Sequence, residues 1–286
     1  MTNHWLSKSE YPFKANYMEI NSQKMHYIDE GIGETLVFVH GTPSWSFDFR
    51  HLIKSLKSKF RCIAVDHIGF GLSDKPADYD YSTQNHSHTL QIFIERMQLH
   101  SFTLVVHDFG GPIGLNYAIS NPQMIKRLVI LNCWLWSSRN DPAFLKLKKM
   151  IKSPLLPFLY TYFNFSPRYL LPLSFGEKKL SKSLLTNYTK PFSKRSQRRG
   201  PLAFAYSLVN DQQWFETLWN NRKSITDKPT LFVWGMKDAF IQPNHLEKFQ
   251  NAFDNSTTLK LETCGHFPQE EEPEKVSEAI LKFLND

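Results

Sequence analysis

At 286 residues, 41% of them hydrophobic and 21% charged, the chain is long enough for one large α/β domain with an insertion or for two small domains. No apolar run approaches the roughly 18 residues of a membrane-spanning helix, and the opening MTNHWLSKSEYPF lacks the basic-then-apolar pattern of a secretory signal. The net charge of +7 is concentrated: thirteen Lys or Arg and one acid, Glu177, lie between Pro142 and Gly200, a block that suits a nucleic acid, an anionic lipid surface or an acidic partner but reads first as the solvated face of an inserted lid, with no nucleic acid expected.

Residues 18–29 alternate and predict one or two opening strands. Leu36 to Val39 (LVFV) is a short buried strand, followed by the loop His40-Gly41-Thr42-Pro43. A helix is expected from Ser46 to Ser58, with Phe49, Leu52, Ile53 and Leu56 on one face. Phe60 to Val65 is the next strand, and the Gly-rich loop from Asp66 to Ser73 ends before Pro76. A helix over Thr83 to Leu99 leads to the strand at Leu104, and Leu128 to Leu131 forms another. From Trp134 to Trp219 the pattern is helical or irregular, rich in aromatics, Pro and Lys. Strand–helix alternation resumes with Thr230 to Gly235, a helix near Pro243 to Phe253, a strand near Thr257 to Glu262 and a last helix from Pro273 to Leu284. Such alternation predicts βαβ units and a mostly parallel central sheet flanked by helices. The interruption reads as an inserted helical cap (134–219) between two parts of one core, 1–133 and 220–286.

Cys62, Cys133 and Cys264 are scattered and read as buried free thiols of a reducing compartment, so the expected location is the cytoplasm. Neither the cysteines nor His4, His26, His51, His67, His86, His88 and His100 show metal-ligand spacing. No metal and no organic cofactor are expected.

The chemistry centres on Leu104 to Gly114, LVVHDFGGPIG. Three apolar residues run into Asp108 and then into Gly110, Gly111 and Gly114, as in a strand that turns sharply into a helix with one reactive residue at the apex. Asp238 follows the strand TLFVWG, and His266 follows the last strand in Cys264-Gly265-His266-Phe267. The order nucleophile, acid, histidine at successive strand ends is that of the α/β-hydrolase fold. With Asp in place of Ser, the apex is already ionised near neutral pH. Attack on a saturated carbon would give a stable alkyl ester. His266 would then activate the water that hydrolyses it, with Asp238 fixing the imidazole tautomer. The backbone N–H groups of Thr42 and Phe109 would receive the oxyanion.

At the segments HGTPSWSFDFR (40–50), DHIGFGLSDKP (66–76), VVHDFGGPIG (105–114), GMKD (235–238) and GHFPQEEEP (265–273) the chain resembles the haloalkane dehalogenases and, more loosely, the epoxide hydrolases. The resemblance implies Asp108 as nucleophile, His266 as base and Asp238 as the acid. Some members take the acid after an earlier strand, where this chain has Asn132 and Cys133. Dehalogenases usually place Trp after the nucleophile to hold the departing halide, and many use Asn after His-Gly; here Phe109 and Thr42 stand instead. Trp134 or Trp136 would substitute as halide donor if turned inward. Fluoroacetate dehalogenases carry Arg after the nucleophile, so Phe109 argues against that branch.

An epoxide hydrolase would need a cap tyrosine as proton donor, and Tyr160, Tyr162, Tyr169, Tyr188 and Tyr206 are available. Of these, Tyr160, Tyr162 and Tyr169, with Trp134 and Trp136, are the expected pocket residues. The apolar, Pro-broken stretch from Ser153 to Phe175 reads first as a lid over a greasy pocket and second as a membrane-surface contact. The expected partners are therefore a small apolar organic substrate and water. Epoxide or β-lactone hydrolysis is the alternative chemistry, and a ligand-binding receptor on the same scaffold is the alternative from another class.

Overall fold

Asn21 and Ser22, at φ of 50° and 64°, turn strand β1 (Asn16–Ile20) back onto β2 (Gln23–Glu30). Positive φ at both central residues is what a two-residue hairpin turn demands. The computed structural model describes residues 5–139 and 142–286, without the side chains of 142 and 143; His4 lies outside the described residues.

Six parallel strands continue the sheet: β3 (Thr35–Val39), β4 (Arg61–Val65), β5 (Phe102–His107), β6 (Ile125–Leu131), β7 (Thr230–Gly235) and β8 (Ser256–Leu261). The order is β1-β2-β4-β3-β5-β6-β7-β8, antiparallel only at the β1–β2 and β2–β4 pairs. Winding reverses between β3 and β5, and ligands of open α/β sheets bind beyond the strand ends at such a switch point.

Period-two alternation sends successive residues to opposite faces. Val37, Val39, Leu104 and Val106 enter one apolar cluster, while Leu36, Phe38 and Val105 enter the other. Both faces are covered, which is why the central strands read as unbroken apolar runs. The helices of the first part are α1 (Arg50–Leu56), α2 (Thr83–Arg96) and α3 (Gly110–Ser120). Between β6 and β7 come α4 (Pro142–Ile151), α5 (Leu155–Phe163), a π-helical turn at Ser166–Leu170 running into α6 (Leu171–Leu173), α7 (Lys182–Thr189), α8 (Arg199–Asn210) and α9 (Gln212–Asn221). Then follow α10 (Pro243–Gln250), α11 (Pro268–Glu271) and α12 (Pro273–Asn285). No helix among the described residues is long and apolar enough to cross a membrane.

Boundaries shift by a few residues from expectation. The helix expected from Ser46 begins as a 3-10 turn (Ser46–Phe49) before α1, and α2 stops at Arg96. The helical segment between β6 and β7 extends to Asn221.

The elbow depends on one missing side chain. A Cβ on Gly110 would stand 2.0 Å from the main-chain oxygen of Val39, so α3 packs against β3 only with glycine there. Gly110→Ala is expected to cost about 3 kcal/mol by overpacking against an unyielding backbone. The urea unfolding midpoint measures it; an unchanged midpoint would show that the elbow can shift.

Candidate active site

Asp108 leaves β5 at φ 51°, a left-handed conformation that costs a residue with a Cβ about 1–2 kcal/mol and that strand-to-helix elbows retain for function. The strain aims the carboxylate at the first loop of the sheet. Thr42 N–H donates to Asp108 Oδ2 at 2.7 Å. The approach needs Gly41, where a Cβ would fall 2.2 Å from that same oxygen. The N-terminus of α3 begins two residues on, so unpaired helix N–H groups add positive potential.

The other oxygen, Asp108 Oδ1, lies 3.6 Å from His266 Nε2. His266 Nδ1 donates to Asp238 Oδ2 at 2.6 Å, which sets the tautomer and leaves Nε2 for the cavity side. Asp238 is saturated with donors: Phe240 and Ile241 N–H bind Oδ1 at 2.8 and 3.0 Å, and Asn132 Nδ2 binds Oδ2 at 2.9 Å. Burial opposes the Asp238 charge, but His266 and these N–H groups outweigh it and hold the carboxyl below its ordinary range. Burial likewise opposes protonation of His266, yet the charges of Asp238 and Asp108 raise it to about 10.

That shift couples to stability. A histidine raised above its unfolded value stabilises the fold fully below about pH 6.5, and the contribution fades as pH rises through about 10. Removing the Asp108 charge lowers the folded value, so the stability gap between the native chain and Asp108→Asn is expected to be widest below pH 6.5 and to narrow towards pH 10. Urea titrations at intervals of pH measure the gap. A gap that widens with pH would contradict the pairing.

Asp108, Asp238 and His266 are 7%, 3% and 5% exposed; Asp108 and His266 lie on the floor of a cavity of about 160 Å³, and Asp238 stands behind the histidine on its Nδ1. Thr42, Phe109, Phe240 and Phe267 join the floor, while Leu147, Ile151, Leu156, Tyr160, Ala205 and Leu208 come from the helices between β6 and β7. The walls are almost wholly apolar. Trp134 lies on the wall and meets Phe109 edge-on at 4.8 Å. Tyr160 is also on the wall; burial pushes its phenol up to about 12, against a hydrogen bond with Ser166.

Three expected pocket residues are corrected. Trp136 stacks on His245 and packs against Phe249 instead of facing the cavity. Tyr162 and Tyr169 are about half exposed on the outer side of the helical segment. Tyr188 is buried elsewhere, donating to Glu270 Oε2 at 2.7 Å, and Tyr206 packs in the small cluster around Ile151 and Ala205. No group of three or more His, Cys, Asp or Glu among the described residues is arranged to hold a metal ion.

Two supports escape a reading of sequence alone. Asn132 not only binds Asp238; its Oδ1 accepts Gly235 N–H at 2.8 Å and its Nδ2 reaches Gly235 O at 3.2 Å. His107 Nε2 donates to the main-chain oxygen of His266 at 2.7 Å, with Asp48 Oδ2 3.2 Å from its Nδ1. Ser174 O receives His266 N–H at 2.8 Å, so the helical segment between β6 and β7 also grips the histidine loop.

Residues 34–273 match the family model described as alpha/beta hydrolase fold. The chain is 33% identical over 284 residues to the cis-3-alkyl-4-alkyloxetan-2-one decarboxylase of Shewanella oneidensis, covering 96% of this chain and 89% of the relative. It is 31% identical to a haloalkane dehalogenase of Mycolicibacterium paratuberculosis, covering 96% and 93%. The crystal structure of the haloalkane dehalogenase DatA from Agrobacterium tumefaciens C58 superposes with a TM-score of 0.87 at 24% identity, over 98% of this chain and 99% of that one.

Proposed function

The chain belongs to the alpha/beta hydrolase fold family and is a haloalkane dehalogenase-like hydrolase; from that premise we propose that it cleaves a carbon–heteroatom bond of an apolar substrate through an alkyl ester on Asp108. The observation that carries the reading is the split environment of one carboxylate. Oδ2 already has its N–H donor from Thr42, while Oδ1 faces His266 Nε2.

Oδ1 attacks the carbon from the side opposite the leaving group, the new C–O bond forms, and the leaving group departs with its electron pair. Esterification removes the Asp108 charge that helps hold His266 protonated, so the imidazole releases its proton to solvent. Water then loses a proton to the free Nε2 and adds to the ester carbonyl. The oxyanion forms on Oδ2, where Thr42 N–H and the N–H of Phe109 hold it. Collapse expels the alcohol, which takes the proton from His266; the carboxyl left on Asp108 gives up the second proton of the water to solvent, and the carboxylate returns. Asp238 compensates the imidazolium, and Asn132 and the two loop N–H groups keep Asp238 in place. The segment 134–219 acts as a cap on the core of 1–133 and 220–286, and its apolar wall strips water from the nucleophile.

Phe109 offers no classical donor to a departing halide, and Trp134, on the cavity wall, is the indole suited to take that part. Trp134→Phe is expected to lower kcat/KM for bromoalkanes roughly 10- to 100-fold, the worth of one charge-assisted hydrogen bond. Bromide release measures it, and an unchanged rate would assign the leaving group to another donor.

A second reading is favoured by the same Phe109. A leaving group that stays tethered needs no halide donor, and the Shewanella relative is named for decarboxylating a β-lactone. Attack of Asp108 on the ring carbon bearing oxygen would free a tethered carboxylate. Water then gives a hydroxy acid, or loss of CO2 expels Asp108 and leaves an alkene. Epoxide opening is supported by Tyr160, protonated and on the wall. Incubation with bromohexane, epoxyhexane and a dialkyl β-lactone, followed by bromide, diol and alkene analysis, decides among them. Turnover of none, with tight stoichiometric binding of one, would replace the hydrolase mechanism with the receptor reading.

A further inference from the structure

Among the described residues eleven large apolar side chains are exposed, and eight of them lie between Leu145 and Leu173. On α5 the exposed Leu155, Phe158 and Tyr162 are spaced three and four apart and form one outward stripe, while Leu156 and Tyr160 face the cavity. A concentration of this kind marks an interaction surface.

Its charge is one-sided. No Asp or Glu occurs from Pro142 to Gly176. Lys146, Lys149, Lys152 and Arg168 are exposed among the apolar residues, and the Arg195 guanidinium sits 4.3 Å over the Tyr162 ring. Aromatic and aliphatic side chains interleaved with Lys and Arg match a headgroup layer, phosphate outside and acyl chain within. Two such faces would repel each other, which argues against a second copy as the occupant. Met150 and Phe240 belong both to the exposed set and to the cavity lining, so the patch runs directly into the pocket.

We propose that this face of the helical segment docks on an anionic lipid bilayer, and that apolar substrate enters the cavity from the acyl-chain layer between Met150 and Phe240. The entry route rests on the reading of the cavity as the substrate site; the docking does not. Each basic residue near an anionic surface adds to the attraction, which salt screens.

The test is flotation of the full chain with vesicles of phosphatidylglycerol and phosphatidylcholine, and with phosphatidylcholine alone. The chain is expected to float with the anionic vesicles at low salt. Affinity should fall at least tenfold at high salt, in Lys146→Glu/Lys149→Glu/Lys152→Glu, and in Leu155→Ser/Phe158→Ser. None of these side chains lines the cavity, and circular dichroism checks that each variant folds. No flotation at low salt, or flotation indifferent to both variants, overturns the proposal. So does a dimer that Leu155→Ser/Phe158→Ser abolishes in a chain that ignores vesicles. Flotation reads no turnover, so its failure leaves the assignment of Asp108 untouched.

Discussion

Asp108→Asn is expected to reduce turnover about ten-thousandfold or more while leaving the fold intact. Asparagine keeps the shape of the side chain, and its carbonyl oxygen can accept the Thr42 N–H that now binds Oδ2 at 2.7 Å. It also tolerates φ near 51° better than most residues do. What disappears is the anionic oxygen facing the cavity, and an amide oxygen is too weak a nucleophile to displace a leaving group from carbon. Loss of the nucleophile removes the entire covalent route, which in covalent hydrolases is worth this order of rate. Product release and the urea midpoint should be read together. Activity above a hundredth of the native rate, in a folded variant verified intact by mass, would remove Asp108 from the chemistry.

His266→Gln should separate the two halves of the reaction. The first half needs no base, because a carboxylate attacks carbon with its own electron pair. The second needs a proton acceptor at the water, and general-base assistance of this sort is worth roughly 10²–10⁴-fold. A bromoalkane should therefore release one equivalent of bromide per chain and then nearly stop. The protein should gain the mass of the alkyl group, located on Asp108 by peptide mapping. Glutamine also lifts the positive charge from between Asp108 and Asp238, so the burst itself should slow modestly. A β-lactone that leaves as alkene and CO2 uses no water, and its turnover should survive the substitution. Steady bromide release at the native rate would show that another group activates water.

The elbow was legible because its constraints are local: an acid after an apolar strand, then glycine where Val39 O would meet a Cβ. Asp238 and His266 were legible from chain order and from their places after strands. The supports of Asp238 and His266 were not, since Asn132 reaches Asp238 across more than a hundred residues of chain and only the β6–β7 pairing brings them together. The pocket aromatics divide for a similar reason. Tyr160 and Tyr162 differ by two positions, a rotation of about 200° on a helix, so one faces the cavity and the other the surface. Nothing in local composition says which way α5 is turned. Trp134 and Trp136 part in the same manner as the chain leaves β6. The basic apolar stretch reads from sequence first as a pocket lid, and the structure gives it two sides: the inner one lines the cavity, and the outer one carries the exposed residues.

Carrying out a single turnover in heavy-oxygen water, with enzyme in excess over a bromoalkane, tests the ester most directly. The attacking oxygen of Asp108 leaves with the first product, and water replaces it in the carboxylate. The account predicts light alcohol from the first turnover and heavy oxygen in the peptide containing Asp108. Heavy alcohol from the first turnover, with that peptide still light, would mean that water attacks the substrate directly and that no ester forms.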